Sequence, residues 1–481
     1  MLIYKTNRIN KKVIHMIVLM VVLFVLGYAA IAMEHKIKIN KAASALILSA
    51  LLWVIYMFAA PHLISLSPDF REMYASQLRN GGDVTSLVYD YVSGGQMIES
   101  VGDIAEILFF LMGAMTIVEL IDAHGGFTIV TDRIRTRNKR KLLWVIAGLT
   151  FLMSAVLDNL TTAIVMVMLV RKMVPDKGER WLFASVVVIA ANSGGAFSPI
   201  GDVTTIMLWV KGNVTAVHLV PYLIFPSFIS LVIPLLFICR MLKGKLPDTA
   251  EVGASSYLAE GVVSKVEQKT IFFLGIGSLM FVPVFKTLTH LPPFVGVLLG
   301  LSVLWFYTEI VYRRKRQVPE SEKVRISVVL GRIDFSTILF FLGILLSVSA
   351  LQCAGILSSL AQSLEQVFHG NVYGINIIIG MLSSVVDNVP LVAGAMGMYE
   401  LAPVGSPEAL APFMQDGSFW LFLSYCAGVG GSMLIIGSAA GVVVMGLEGV
   451  DFGWYLKRIS WLALLGYLSG AAVFMMIEHF V

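Results

Sequence analysis

The sequence predicts an all-α polytopic membrane fold, built as two related halves inserted in opposite directions. Three observations predict it. Of 481 residues, 57% are apolar and only 14% charged, with a mean hydropathy of +0.84; a soluble domain carries about 25% charged residues. Apolar runs of 18 or more residues recur along the chain, each long enough to cross a hydrocarbon core of about 30 Å. Finally, one polar pattern occurs twice inside such runs: SAVLDNLTTAI (154–164) and SSVVDNVPLVAG (383–394). Each places an Asp-Asn pair, Asp158-Asn159 or Asp387-Asn388, at membrane depth. An ionised carboxylate there costs roughly 2.5–3.5 kcal/mol on insertion scales, so it points to function.

Full spans are expected at about 13–33, 42–64, 101–121, 182–210, 216–239, 269–287, 291–312, 335–354, 419–447 and 459–479. Ile14 to Met33 is read as an uncleaved first helix, because charged Glu34-His35-Lys36 follows and no small-x-small cleavage site is evident. Residues 65–100, with Gly81-Gly82 and Gly94-Gly95, are expected to form a polar loop with one short interfacial helix. Residues 122–141 combine apolar positions at helical spacing with Arg133, Arg135, Arg137, Arg140 and Lys141, the pattern of an amphipathic surface helix. Residues 241–268 are the longest polar connection and divide the halves. Arg313-Arg314-Lys315-Arg316 mark a cytoplasmic loop. These orientations place both termini outside, carrying Lys5, Arg8, Lys11 and Lys12 outward. The net charge of +4 resides in short loops and gives no nucleic-acid signal. Cys239, Cys353 and Cys426 lie in apolar runs and read as packing residues.

Leu142 to Val170 has 29 residues, ~44 Å as a helix, long for one span and short for two. Basic residues flank both ends, so both ends are cytoplasmic. A re-entrant hairpin with Asp158-Asn159 near its tip satisfies both facts, provided protein or a water-filled cavity covers the tip. The second copy, 372–399, lacks flanking Lys and Arg and is expected to enter from the other face. The repeat extends further. DIAEILFFLMG from Asp103 resembles DFSTILFFLG from Asp334, and Asp103 to Asp158 spans 55 residues against 53 from Asp334 to Asp387. After each hairpin comes a long run broken by glycine, ANSGGAFSPIGDVTT (191–205) and AGVGGSMLIIGSAAG (427–441). The expected organisation is scaffold helices over 1–100 and a first inverted repeat over 101–240, with hairpin 142–174 and broken helix 182–210. A connecting loop and scaffold helices follow over 241–333. The second repeat then covers 334–481, with hairpin 372–399 and broken helix 419–447. Inverted repeats with broken helices meeting near the bilayer midplane are the plan of secondary transporters.

Pro199 and Gly201 unwind the first broken helix beside Asp202, Thr204 and Thr205, freeing backbone dipoles for an ion. Asp158, Asn159, Thr161, Thr162, Asn192, Ser193, Asp202 and Thr204 are hard oxygen donors, with no His or Cys among them; this excludes a soft transition metal and favours a small alkali cation. Asp158 and Asp202, if adjacent, repel one another, so one keeps a proton until a cation replaces it. Na+ is expected at Asp158, Asn159, Asn192, Asp202 and Thr204, with Asp387 and Asn388 contributing from the second half. Ser154, Ser383, Ser384, Ser432 and Ser438 are secondary candidates; Asp202 aligns with Ser438. Plain capping would also explain the Asp-Asn pairs and Asp202, although amides or serines would cap at lower cost. Asp103 and Asp334 fall at expected span starts and read as caps or interface residues. Glu106 is a proton-relay candidate, and His124 reads as a surface-loop histidine rather than a pH sensor. No catalytic residue and no cofactor is expected.

At these residues the chain resembles the NhaD-type sodium/proton antiporters of the ion-transporter superfamily. The motifs carrying the resemblance are EILFFLMGAMTIVELIDAH (106–124), SAVLDNLTTAIVM (154–166), NSGGAFSPIGDVTTIMLW (192–209) and SSVVDNVP (383–390). It implies exchange of Na+ or Li+ for H+ across a bacterial inner membrane by a homodimer whose hairpin-bearing domain moves against a scaffold. It also implies that Asp158, Asp202 and Asp387 are the essential acids, with Thr204 and Asn192 as polar partners. Two other readings compete. A sodium-coupled symporter of dicarboxylates or arsenite would suit neutral hairpin tips better than acidic ones. An intramembrane aspartyl protease would need Gly-x-Gly-Asp, and Pro199 occupies the first position.

Overall fold

The computed structural model describes residues 11–65, 67–131, 134, 136–246, 259–385, 387–403 and 405–480. The principal helices are α1 (Lys11–Ala32), α2 (Lys41–Leu63), α3 (Met97–Ala123), α4 (Lys139–Ser154), α5 (Asn159–Met173), α6 (Lys177–Ala196) and α7 (Val203–Val210). They continue with α8 (Ala216–Met241), α9 (Lys265–Thr289), α10 (Pro293–Arg314), α11 (Phe335–Cys353), α12 (Ile356–Phe368), α13 (Val372–Leu382) and α14 (Asn388–Met398). The last four are α15 (Ser418–Gly430), α16 (Ala439–Glu448), α17 (Phe452–Arg458) and α18 (Ser460–Phe480). Among the described residues there is no β-strand, only two isolated bridges, Asn138 with Lys245 and Ala402 with Met414. Eight described helices are long and apolar enough to cross a membrane, so the protein is a multi-pass membrane protein.

Two compact units divide the chain. The first comprises Met1–Leu108, Asp334–Gly370 and Ala393–Glu400. Its apolar helices are fixed by a few polar contacts: Trp53 Nε1 donates to the Leu346 carbonyl at 3.0 Å, Tyr56 Oη donates to Gln96 Oε1 at 2.7 Å, and the Ser100 and Ser349 hydroxyls pair at 2.5 Å. Asp334 is the N-cap of α11, accepting from Thr337 N at 3.2 Å and Thr337 Oγ1 at 2.6 Å.

The second unit comprises Phe109–Ile333, Asn371–Val392 and Leu401–Val481. Here the two halves of the sequence repeat one set of contacts. α4 packs on α6 at Gly194, where a Cβ would press on the Phe151 carbonyl and lie 2.8 Å from its Cα; α13 packs on α15 at Gly430, where a Cβ would press on the Gly380 carbonyl oxygen and lie 2.8 Å from its carbon. In the breaks that follow, Gly201 abuts the Ser154 carbonyl as Gly437 abuts that of Ser384. Ser154 Oγ donates to the Ala191 carbonyl at 2.6 Å, and Ser383 Oγ to that of Ala427 at 2.8 Å. Only glycine admits backbone this close.

Both runs expected to be broken are broken, between α6 and α7 and between α15 and α16. In each stretch expected to form a hairpin the helix is interrupted at the Asp-Asn pair, between α4 and α5 and between α13 and α14. Three expectations are corrected. Residues 84–100 are not loop: helical geometry runs from Val84 through a π-helical stretch, Tyr91–Gln96, into α3, giving a span of 40 residues to Ala123. Asp103 therefore lies inside a helix, exposed, rather than at a helix start. No surface helix spans 122–141. Gly125 (φ +71) turns the chain after α3, and the backbone of 137–139 is committed to the 244–246 strip, with Leu246 N donating to the Arg137 carbonyl at 2.8 Å. Among the described residues between α3 and α4 only Thr128–Thr131 is helical, and Arg133 and Arg135 lie outside the described residues, as do Lys5, Arg8 and 247–258 of the connection between halves.

Candidate cation and proton site

The site is assembled from helix starts. Pro199 carries no amide hydrogen, and Gly201 allows close backbone contact, so helix α6 ends at Ala196 and α7 begins only at Val203. Asp202 is the N-cap of α7 and is 1% exposed. Its Oδ1 accepts from Thr204 N at 2.9 Å and Thr204 Oγ1 at 2.7 Å. Thr205 Oγ1 donates to the Asp202 carbonyl at 2.7 Å. Capping leaves Oδ2 free to point inward.

Two carboxamides converge on that carboxylate, one from each hairpin tip. Asn159 Nδ2 donates to Oδ2 at 2.6 Å; Asn388 Nδ2 lies 3.3 Å from Oδ1 and 3.4 Å from Oδ2. Asn159 Nδ2 also donates to Asn192 Oδ1 at 3.2 Å, and Asn192 Nδ2 donates to Ser438 Oγ at 2.9 Å and Ser432 Oγ at 3.1 Å. The second broken helix is thereby tied to the first through Asn192. Ser438 is the N-cap of α16, its Oγ accepting from Gly441 N at 3.2 Å. Asn159, Asn192, Thr204, Asn388, Ser432 and Ser438 are all buried.

Asp158 and Asp387 are half-buried and face differently. Asp158 caps α5, accepting from Thr161 N and Thr161 Oγ1, both at 2.7 Å. Asp387 Oδ1 accepts from Val389 N at 3.2 Å. Each carboxylate is one residue along the chain from an asparagine that bonds Asp202. Among the described residues every side chain hydrogen-bonded to Asp202 is neutral, so the cluster is an electronegative, oxygen-rich pocket. The carboxamides offer oxygen instead of NH2 after a half-turn of their last bond. Such a set can hold either a proton or a small hard cation.

Not every candidate joins the cluster. Ser193 pairs with Ser230 at 2.8 Å, and Ser384 Oγ donates to the Met381 carbonyl at 2.7 Å. Ser154 and Ser383 serve the helix contacts described above. Thr162 is buried, and its hydroxyl has no hydrogen-bond partner among the described residues. Asp103 and Glu106, the latter half-buried, belong to the first unit. His124 is a correction. It is fully buried, with Nδ1 2.7 Å from the Leu120 carbonyl and Nε2 2.8 Å from Tyr312 Oη. The Gly125-Gly126 turn folds it inward rather than leaving it on a surface loop. One buried acid escaped sequence reasoning, Glu448. It stands at the end of an apolar run beside Gly449, and its partners are more than 250 residues away in the chain.

The comparisons agree with this architecture. A family model described as citrate transporter (CitMHS) matches residues 28–415. Sodium/proton antiporter 1 of Arabidopsis thaliana is 43% identical over 96% of this chain and 73% of its own length. Sodium/proton antiporter 2 of the same plant is 40% identical over 96% of this chain and all of its own. The Na(+)/H(+) antiporter NhaD of Vibrio cholerae is 27% identical over 95% and 91%. Among solved structures, the Alcanivorax borkumensis YdaH transporter matches with a TM-score of 0.54 at 12% identity, covering 91% of this chain and 98% of its own, a likeness of fold. The chain therefore belongs to the citrate-transporter family, among its NhaD-type sodium/proton antiporters.

Proposed function

We propose that the protein exchanges Na+ or Li+ for H+ across its membrane, cation and proton competing for the Asp202 carboxylate. One observation carries the reading: a fully buried carboxylate held, among the described residues, by neutral donors alone, two of them amides from separate Asp-Asn pairs. A lone buried charge is costly, and proton or cation uptake relieves that cost in mutually exclusive ways. Asp158 and Asp387 raise the local negative potential from either side, so that a cation entering is met by three acids. Half-spans that enter from opposite faces would let the tips expose the site alternately as the hairpin-bearing helices move. The relatives' names as sodium/proton antiporters support the ions chosen. The proposal extends to a homodimer in a bacterial inner membrane, on the family resemblance alone.

The family's description favours a second reading, sodium-coupled uptake of citrate or a related anion. Asp158, Asp202 and Asp387 argue against it, since a polycarboxylate would face like charge with only neutral groups bonded to Asp202. Both readings are tested in proteoliposomes. Na+ addition is expected to release internal protons, Asp202→Asn and Asp158→Asn to abolish the release, and labelled citrate and succinate to stay outside. Full exchange in both variants would remove the antiport reading, and sodium-dependent citrate uptake would establish the other.

A further inference from the structure

α7 and α16 are short, eight and ten residues, and each starts at a residue of the cluster, Asp202 or Ser438. Helices of this length are not stable alone. What grips the far end therefore sets where the first residue sits.

The far end of α16 is gripped by an ion cluster built on one buried acid, Glu448. The Glu448 side chain is 0% exposed; its Oε2 accepts from Arg180 Nε at 2.5 Å, while Oε1 receives no hydrogen bond and lies 3.4 Å from Arg171 Nε. Arg171 also donates to the Leu447 carbonyl at 3.3 Å, and Trp181 Nε1 to the Glu448 carbonyl at 3.2 Å. Arg180 is itself anchored on the Val174 and Pro175 carbonyls, each at 3.2 Å. Arg180 and Trp181 lie near the start of α6.

The far end of α7 has a counterpart. Asp416, in the left-handed region at φ +62, accepts from Thr215 N at 2.5 Å and Thr215 Oγ1 at 2.8 Å, with His218 Nδ1 at 3.0 Å. Asp416 N donates to the Asn213 carbonyl at 2.9 Å, and Gln415 Nε2 to that of Gly212 at 2.7 Å. Asp416 stands two residues before α15. The end of each short helix is thus clasped to the start of the long half-helix of the other half, crosswise.

Buried ion pairs contribute little net stability over apolar packing, and their best-attested use is to fix register. A slip of one residue would move a helix start by about 1.5 Å and turn it by about 100°. Misplacement of about 1 Å can cost on the order of 100-fold at a site. We infer that Glu448 with Arg180, and Asp416 with Thr215, are positioning residues that hold Ser438 and Asp202 in register for cation binding, one clasp per half. The inference rests on the exchange reading.

The test compares Glu448→Gln, Asp416→Asn and the charge-retaining Arg180→Lys in proteoliposomes, reading half-saturating Na+ against maximal rate. Amide hydrogen exchange of the purified proteins is measured alongside. Glu448→Gln and Asp416→Asn are each expected to raise half-saturating Na+ about fivefold or more while the maximal rate stays within about twofold, and Arg180→Lys, which keeps a positive charge opposite Glu448, to stay closer to the parent than Glu448→Gln does. Exchange should quicken at 439–448 in the first variant and at 203–210 in the second. Half-saturation within about twofold of the parent in both variants overturns the inference, as does a lost maximal rate at unchanged half-saturation. If the parent protein itself releases no protons on Na+ addition, the exchange reading has failed instead. Unaltered amide protection of both short helices would then still sink the clasps.

Discussion

Asn159 and Asn388 occupy matching positions in the two halves, yet the geometry makes them unequal. The Asn159 amide donates to Asp202 Oδ2 at 2.6 Å, a short bond to a charged acceptor, and bridges to Asn192 Oδ1. The Asn388 amide straddles both oxygens at 3.3 and 3.4 Å, the long edge of hydrogen bonding. A hydrogen bond to a charged group contributes about 1.5–3 kcal/mol, a weak neutral-type one about 0.5–1 kcal/mol. Asn159→Ala also leaves the buried Asn192 oxygen without its amide donor. Taking about 2 kcal/mol as lost in the cation-binding arrangement, half-saturating Na+ should rise about 30-fold in Asn159→Ala. Asn388→Ala should raise it no more than about fivefold. The assay is Na+-induced proton release from proteoliposomes over a sodium titration, with thermal unfolding in detergent to confirm that both variants fold. Equal shifts, or a larger one in Asn388→Ala, would refute the claim that Asn159 is the stronger partner of Asp202.

Further outcomes follow from the packing and the surface. Gly194→Ala and Gly430→Ala each drive a Cβ into backbone that cannot yield, so each should lose about 1–3 kcal/mol of stability, whereas Gly148→Ala and Gly446→Ala, with nothing within 4 Å of the new Cβ, should be neutral or slightly stabilising; thermal unfolding of the four proteins decides. Asp334→Ala removes the α11 cap and should cost about 1 kcal/mol, read as a lower unfolding midpoint that Asp334→Asn largely restores. Glu320, exposed in the loop after α10, is held down to about 2 by its hydrogen bonds to Arg325 and then Lys323. A depressed carboxylate adds stability above its ordinary value of 4.5 and loses it as pH falls toward 2. Glu320→Gln should therefore leave the unfolding midpoint unchanged below about pH 2, alter it increasingly and slightly between about pH 2 and 4.5, and by a constant small amount above that; a Glu320→Gln effect that grows on acidification would contradict the assignment.

Much of the architecture was legible because membrane insertion penalises polar residues severely. Asp158-Asn159, Asp387-Asn388 and the Gly-Gly breaks stood out against apolar runs, and the helices part at those places. What could not be read was which polar atom of each tip faces the site. Asp158, Asn159, Asp387 and Asn388 are all expected near the ion, and in the structure Asp158 accepts from the amide and hydroxyl of Thr161 and Asp387 from the Val389 amide. The next residue, one step around the helix, faces the partner instead, so Asn159 and Asn388 reach Asp202. Convergence of two segments 229 residues apart on one carboxylate is a tertiary fact with no local signature. Nor could sequence show that the 137–139 backbone would join the 244–246 strip, which removed the expected surface helix. Glu448 was hidden for a related reason, since its worth depends on Arg171 and Arg180.

The two amides that meet at Asp202 also impose an order on biogenesis. Asn388 lies 186 residues after Asp202. At translation speeds of about 5–20 residues per second, the acid enters the bilayer roughly 10–40 s before its later partner is made. Through that interval it must travel neutral, hydrated or shielded by the insertion machinery, so assembly of the second half completes the first.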